Sequence, residues 1–130
     1  MRDVRVSSDG TKLGQEITIG SHRLRGDEEA DKGGNDSGPE PHELLLAALG
    51  ACTSMTLRLY AERKGWPLNG VHVRLTGAPA DGRYAITRHI TMDGGLDAEQ
   101  RARLLEIANR CPVHRTLTGE VAIQTREVVA

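Results

Sequence analysis

A long apolar helix in the middle of the chain constrains the fold more than any other feature. From Leu44 to Cys52 nearly every residue is apolar. Pro41 suits the first position of a helix, and we expect the helix to continue to Lys64 and to end at Gly65. A helix without a polar face has to be covered on more than one side, and a single antiparallel sheet covers only one.

Two arrangements can cover such a helix. One is a second copy of the chain packed about a two-fold axis, and the other is a monomer covered by its own second helix and a long loop. We favour the homodimer. At helical spacing one apolar stripe faces the core and charged residues turn outward; the stripe is Ala48, Cys52, Met55 and Leu59, and the outward residues are Arg58, Glu62 and Arg63.

The remaining pattern predicts an α+β protein with a single domain over residues 1–130. Strand-like alternation around Val4–Val6, Gln15–Ile19 and His22–Arg25 predicts an N-terminal meander with a hairpin turn at Gly20-Ser21, followed by a loop over 26–39. Later expected elements are strands over 71–75 and 84–92, a turn over 78–82, a helix capped by Asp97 and Gln100, and a last strand through Val121, Ile123 and Thr125.

Composition disfavours several classes of function. The formal charge is −1 and only 2% of residues are aromatic, so long-range attraction to nucleic acid and base stacking are both weak. The N-terminal residues do not resemble a signal peptide, and no uninterrupted apolar run reaches the ~18 residues of a membrane span. We expect a cytoplasmic protein with no nucleic-acid or membrane partner.

The chain has two cysteines, Cys52 within the apolar helix and Cys111 directly before Pro112. Two thiols with no others in the chain suggest a redox pair, and in a cytoplasmic protein a dithiol is more often catalytic or metal-binding than a permanent disulfide. The alternatives are a structural bridge, two small buried apolar side chains, or a zinc site completed by histidines. Zinc is disfavoured because no closely spaced pair of ligands is present.

Cys111 is predicted to lie where one helix ends and a short one begins. A residue before proline is pushed out of the helical region, so Cys111 fits an N-cap with Pro112 at the first helical position. Unpaired N–H groups there would favour a thiolate, and His114 and Arg115 add cationic character. Cys52, in apolar surroundings, becomes reactive only if a cation or oriented hydrogen-bond donors reach it.

These two regions resemble the OsmC/Ohr family of organic hydroperoxide reductases. The segment from Gly38 to Leu57 is similar to that family's loop, helix start and first cysteine, and Cys111-Pro-Val-His114 is similar to its second-cysteine motif. The order of elements also fits. The resemblance implies the OsmC-like fold, an interwoven homodimer whose antiparallel sheets surround long central helices.

The resemblance also implies a chemistry. Cys52 matches the peroxidatic cysteine, which attacks an alkyl hydroperoxide, and Cys111 matches the resolving cysteine, which forms a disulfide with it. An external dithiol then reduces that disulfide, and no cofactor or metal is required. The implied function is thiol-dependent defence against organic hydroperoxides, in an apolar pocket lined by both subunits.

The chain departs from the best-known members at two supporting positions. They carry a glutamate ten residues before the first cysteine, where this chain has His42, and its acid is Glu43. Either residue is roughly 15 Å from Cys52 along the helix axis, so contact would have to come from the other subunit. For the activating arginine, Arg2, Arg5, Arg23 and Arg25 are candidates, and we select Arg25 at the start of the long loop.

Two other classes of function remain open from the sequence. The same dimer could hold a small apolar ligand in its cleft without catalysis, its cysteines inert. It could also act as a thiol-based redox sensor or as a structural dimer with a partner protein.

Overall fold

The computed structural model describes residues 1–129. Within it the chain forms two compact units, Met1–Ala47 and a second that starts at Ala48. The elements of the two units agree with the predicted α+β class.

The first unit contains a three-stranded antiparallel sheet in the order β1-β2-β3. Its strands are β1 (Val4–Ser8), β2 (Gln15–Ile19) and β3 (His22–Gly26). Ile19 pairs with His22, so Gly20 and Ser21 form the predicted hairpin turn. Gly20 has a φ of 60°, in the left-handed region that glycine adopts without strain.

A buried carboxylate organises the loop that follows. Asp27 is 4% exposed, and it accepts hydrogen bonds from the backbone N–H groups of Glu28, Asn35 and Ser37 and from the Ser37 hydroxyl. The Ser37 hydroxyl first, then its N–H and that of Glu28, lower the pKa of Asp27 from 3.8 to about 2. The predicted loop is therefore ordered by one side chain around a single 3₁₀ turn, Ala30–Lys32.

The long helix has the predicted bounds. Helix α1 spans Pro41–Lys64 and ends at Gly65, whose φ is 70°. The Gly65 and Trp66 N–H groups donate to the carbonyls of Glu62 and Ala61, which closes the last turn.

The predicted inward stripe of α1 was wrong. Met55 and Leu59 are 64% and 61% exposed, and Cys52 is half-buried. The buried face carries Leu49, Gly50, Thr53, Leu57 and Ala61 instead. Because both faces are apolar, periodicity could not decide which one the chain covers by itself.

Helix α1 also meets the length and composition of a membrane span. An 18-residue window has a mean hydropathy of 1.4, and 22% of that window is buried. This corrects the expectation that no run is long enough, which counted only uninterrupted apolar residues and so was broken by serine, threonine and glycine. A core helix of a folded protein can have the same length and hydropathy, so these two properties alone do not assign α1 to a membrane.

In the second unit, β4 (Gly70–Ala80) and β5 (Arg83–Asp93) form an antiparallel hairpin. The strands are longer than predicted, and the expected turn over 78–82 is reduced to Asp81 and Gly82. Both residues have positive φ, 50° and 76°, as in the tight turns that match the twist of paired strands. That geometry lets pairing continue through Pro79, which lies opposite Tyr84.

Two helices follow the hairpin. Helix α2 (Ala98–Ala108) begins at the predicted capping box, in which Asp97 accepts from the Gln100 N–H and the Gln100 side chain accepts from the Asp97 N–H. The short helix α3 (Pro112–Thr118) has Cys111 as its N-cap, also as predicted. The core of this unit is aliphatic and consists of Leu57, Ala61, Leu68, Leu96, Leu104, Ile107 and Ala108.

The predicted last strand does not form. Residues 120–129 have no helix or strand, and Val121 and Ile123 are 60% and 86% exposed. A strand needs a neighbour for its N–H and C=O groups, and no strand within residues 1–129 pairs with this segment.

Candidate thiol site

Cys52 lies half-buried in the middle of α1, and a backbone donor reaches its sulfur. The Val113 N–H donates to Cys52 Sγ at 3.5 Å. Val113 is the second residue of α3, so the start of this helix meets α1 at the cysteine. The donor required by the sequence argument is therefore present, supplied by the backbone.

Cys111 is fully buried at the start of α3. Its Sγ accepts the His114 N–H at 3.3 Å, and its carbonyl accepts the Arg115 N–H at 3.1 Å. The thiol thus serves as the side-chain cap that serine or aspartate usually provides.

The fold brings the two predicted cysteines together. Both thiols are free, and their sulfurs contact the N–H groups of consecutive residues, Val113 and His114. Because the nitrogens of neighbouring residues are about 3 Å apart, the two sulfurs lie within roughly 10 Å of each other. Cys52 and Cys111 are 59 positions apart in the sequence, and the packing of α3 against α1 brings them close in space.

Thr53 links the cysteines to the rest of the site. Its hydroxyl donates to the Leu49 carbonyl at 2.7 Å and accepts a hydrogen bond from the Arg88 guanidinium at 2.9 Å. Cys111 Sγ lies 4.0 Å from the same oxygen. Since a hydroxyl has one hydrogen, and it goes to Leu49, the hydrogen in the Thr53–Cys111 contact belongs to the thiol.

Arg88, on β5, is the cation of this site. Besides Thr53, its guanidinium donates to Asn109 Oδ1 at 3.0 Å and to His114 Nδ1 at 3.1 Å. All three partners are neutral acceptors, and none of the ion pairs formed by residues 1–129 includes Arg88. The charge is therefore held by directed hydrogen bonds and not by a carboxylate.

Arg88 also determines the state of His114. Burial first, and then the positive charge of Arg88, lower the pKa of His114 below its usual 6.5. Because Nδ1 accepts from Arg88, the ring is neutral and its hydrogen is on Nε2. The imidazole is thus a fixed acceptor for Arg88 and has one N–H remaining.

An open groove of about 400 Å³ borders this cluster. Its lining combines polar groups of the cluster with an apolar wall, and comprises Leu49, Tyr84, Ile86, Arg88, Asn109, His114, Leu117 and Thr118. No three histidine, cysteine or acidic side chains among residues 1–129 are grouped as they would be around a metal ion.

The two predicted supporting residues lie in the first unit. The Arg25 guanidinium is bound to the Asp9 carboxylate and donates to Ser37 Oγ at 3.1 Å. Glu43, in the first turn of α1, accepts the Glu40 N–H at 2.9 Å, while the Glu43 N–H donates to the Glu40 carboxylate. His42 Nδ1 lies 3.9 Å from the same Glu40 side chain. Arg25 therefore joins two loops, and Glu43 caps the helix.

Arg88 was absent from the sequence prediction, although the sequence contains a signal for it. On β5 the partly buried positions alternate, at Ile86, Arg88, Ile90 and Met92. An arginine in the register of an apolar strand face needs a buried partner. Its partners, 21 to 35 positions away, could not be identified without the fold.

Comparison with known proteins places this chain in a family. Residues 33–126 match the family described as OsmC-like protein. No curated protein matches the chain.

Solved structures share the fold at low identity. An OsmC-like protein from Mycoplasma pneumoniae has a TM-score of 0.78 at 22% identity, over 92% of this chain and 88% of that one. The organic hydroperoxide resistance protein OsmC from Legionella pneumophila has a TM-score of 0.68 at 19% identity, over 92% and 90%. The organic hydroperoxide resistance protein OhrB of Bacillus subtilis has a TM-score of 0.62 at 21% identity, over 90% of this chain and 91% of that one.

The family match covers both cysteine regions, and the structural matches cover about nine-tenths of the chain. The α+β fold is the OsmC-like fold that the sequence predicted. The chain belongs to the OsmC-like protein family.

Proposed function

We propose that this protein reduces organic hydroperoxides, with Cys52 as the peroxidatic and Cys111 as the resolving cysteine. The observation that carries the proposal is the convergence of two free thiols on consecutive backbone N–H groups, at Val113 and His114. Two of the relatives of similar fold are named organic hydroperoxide resistance proteins, which supports the same chemistry.

The first step uses the exposure of Cys52. Of the two thiols only Cys52 is partly exposed, and the Val113 N–H donates a hydrogen bond to its sulfur. The thiolate attacks the outer oxygen of the hydroperoxide and the O–O bond breaks. The alkoxide leaves and takes up a proton to become an alcohol, and Cys52 becomes a sulfenic acid.

The second step uses the burial of Cys111. Its thiol attacks the sulfur of the sulfenic acid, the S–O bond breaks, and the departing hydroxide combines with the thiol proton to form water. The product is a Cys52–Cys111 disulfide, and an external dithiol returns both cysteines to thiols. Burial suits this role because it keeps Cys111 away from peroxide until Cys52 has reacted.

We also propose that the active form is a homodimer. The exposed face of α1 carries Met55 and Leu59, and Val121 and Ile123 are exposed near the C terminus. A second copy that covers the helix would remove this apolar surface from water. In such a dimer Glu43 and Arg25 of one subunit would support Cys52 of the other.

The dimer is tested by light scattering during size-exclusion chromatography. We expect twice the mass of one chain, and we expect Met55→Glu together with Leu59→Glu to give a monomer. The control is Arg63→Glu at an outward position of the same helix. A wild-type monomer in aqueous buffer, or recovery of the protein only with detergent, would contradict the proposal.

The location proposed is the cytoplasm, where a reducing environment keeps both cysteines as free thiols. The partners proposed are the hydroperoxide and a dithiol donor, without nucleic acid.

Steady-state kinetics test the peroxidase proposal. Cumene hydroperoxide consumption with dithiothreitol should require Cys52, so Cys52→Ser should abolish it. Cys111→Ser should consume about one equivalent and then slow, because its sulfenic acid has no internal partner. Consumption that survives in Cys52→Ser would contradict the mechanism.

A second candidate function is binding of a small apolar ligand without catalysis. It is favoured by an apolar cavity of about 380 Å³ within the first unit, bordered by Val6, Leu13, Ile17 and Leu44. Fluorescence titration with a fatty acid probe would distinguish the two functions. Binding together with no reaction of either thiol towards peroxide would favour the binding protein.

A further inference from the structure

We propose that Arg88 is the positioning residue that aligns Cys111 with Cys52 for disulfide formation. This inference rests on the proposed use of the two cysteines as a redox pair, and it concerns the second step alone. Arg88 contacts neither sulfur; it acts through the residues that flank them.

The three hydrogen bonds of Arg88 bracket both cysteines. Thr53, which follows Cys52 directly, accepts from one terminal nitrogen of the guanidinium, Nη1. Asn109 and His114, two residues before and three residues after Cys111, accept from the other nitrogen, Nη2. One planar group thereby fixes the segment of α1 that carries Cys52 relative to the turn that carries Cys111.

The same hydrogen bonds fix the direction of the Cys111 thiol. Arg88 occupies one lone pair of Thr53 Oγ1, and the hydroxyl hydrogen is committed to the Leu49 carbonyl. The remaining lone pair faces Cys111 Sγ at 4.0 Å, so the thiol hydrogen points to Thr53. On its other side Cys111 Sγ accepts the N–H of His114, the residue whose ring Arg88 holds.

The choice of arginine supports positioning over simple packing. A half-buried cation without a carboxylate partner costs free energy of desolvation, which here only its directed hydrogen bonds offset. Arginine has the fixed geometry of donors that three acceptors on two different segments require. The cost is therefore explained if alignment of the two segments matters for the reaction.

The decisive experiment starts from a mixed disulfide so that it does not depend on peroxide chemistry. Oxidised glutathione is added to the full-length protein, and the accessible Cys52 forms a mixed disulfide with release of one glutathione. Cys111 then attacks Cys52 Sγ, the bond to glutathione sulfur breaks, and a second glutathione leaves with the thiol proton. Mass spectrometry of acid-quenched samples gives the rate of this closure.

We expect Arg88→Met to slow closure by on the order of tenfold to a hundredfold, because small misalignments of reacting groups have effects of that size. Arg88→Lys should recover part of the rate, since its ammonium retains N–H donors for these acceptors. The matched control is Arg74→Met, an exposed arginine of the same hairpin for which no hydrogen bond or ion pair is present within residues 1–129. An unchanged closure rate in folded Arg88→Met overturns the inference.

A second variant and a second readout cover the case in which Arg88→Met does not fold. Asn109→Ala removes one exposed acceptor and should slow closure about threefold, roughly the value of one hydrogen bond; no change would contradict the inference. By NMR, the pKa of His114 should rise in Arg88→Met, which removes the positive charge that helps to lower it, and should rise less in Arg88→Lys, which keeps a positive charge. Exposure of His114 by a general loss of packing would raise the pKa in both variants alike. An unchanged pKa of His114 together with an unchanged closure rate in Arg88→Met also overturns the inference.

The outcomes separate this inference from the proposed function. If disulfide closure is slow in Arg88→Met and the wild type does not react with cumene hydroperoxide, the role of Arg88 is supported and the proposed peroxidase activity is contradicted. If the wild type reduces peroxide rapidly and disulfide closure is equally fast in wild type and Arg88→Met, the peroxidase activity is supported and the role of Arg88 is contradicted.

Discussion

The loop around Asp27 and the cysteine site around Arg88 are both organised by one charged side chain, but they are built differently. Asp27 is an anion that accepts hydrogen bonds from groups at most ten positions away. Arg88 is a cation that donates to groups 21 to 35 positions away. The first network orders a single loop, whereas the second joins a strand to two helix-bearing segments. Nearby residues can encode the order of a single loop, whereas the approach of Cys52 to Cys111 depends on residues that are far apart in the sequence.

The largest expected effect comes from removing Arg88. Arg88→Met deletes three hydrogen bonds and leaves the buried Thr53 hydroxyl without its donor. We expect the free energy of unfolding to fall by about 3 kcal/mol, or a Tm lower by roughly 10 °C. Thermal unfolding followed by circular dichroism measures this. Arg74→Met should stay within about 0.5 kcal/mol of wild type, and an equal loss in both variants would remove the distinction between the two arginines.

The corresponding change at Asp27 should have a smaller effect. Asp27→Asn places an amide donor where the Ser37 and Asn35 N–H groups need an acceptor. The loop can rearrange towards solvent, so we expect a Tm lower by about 5 °C. Closure of the Cys52–Cys111 disulfide should be unchanged, since the network is local to the first unit. Slower closure in Asp27→Asn would show that the two networks are coupled.

The smallest effect should appear in acid. Folding lowers the pKa of Asp27 from 3.8 to about 2, so the folded protein favours the carboxylate. This contribution to stability is complete above the unfolded pKa and is lost as the pH falls through the folded one. The difference in Tm between wild type and Asp27→Asn should therefore be largest near about pH 6 and shrink as the pH falls to about 2. A constant difference across that range would contradict the assignment of the pKa shift to Asp27.

The same contrast explains what the sequence could predict. Helix α1, the capping box of α2 and the cap at Cys111 depend on residues within a few positions of each other, and all three were predicted correctly. The turn over 78–82 was placed too broadly because the Asp81-Gly82 pair was not recognised as a two-residue hairpin turn. The strand through Ile123 was predicted from alternation alone, which does not supply the neighbouring strand.

The same distinction between short-range and long-range contacts applies to the residues of the site. The cysteines were selected as candidates because they are rare and because their surroundings resemble a family motif. Arg88 was not selected because its hydrogen bonds to Thr53, Asn109 and His114 form only once these residues converge in space. Arg25 was selected from its position beside the long loop, where the structure places it in contact with Asp9 and Ser37. Its proposed support of Cys52 across the dimer stays a prediction.

The central claim is that Cys52 and Cys111 react as one redox pair, and one measurement tests it most directly. Reduced protein is treated with one equivalent of cumene hydroperoxide, quenched in acid, and analysed intact and after proteolysis by mass spectrometry. The account predicts loss of two hydrogen atoms per chain and a peptide that joins Cys52 to Cys111 within the same chain. Two free thiols after peroxide is consumed, or a stable sulfinic acid on Cys52 with Cys111 unreacted, would contradict it.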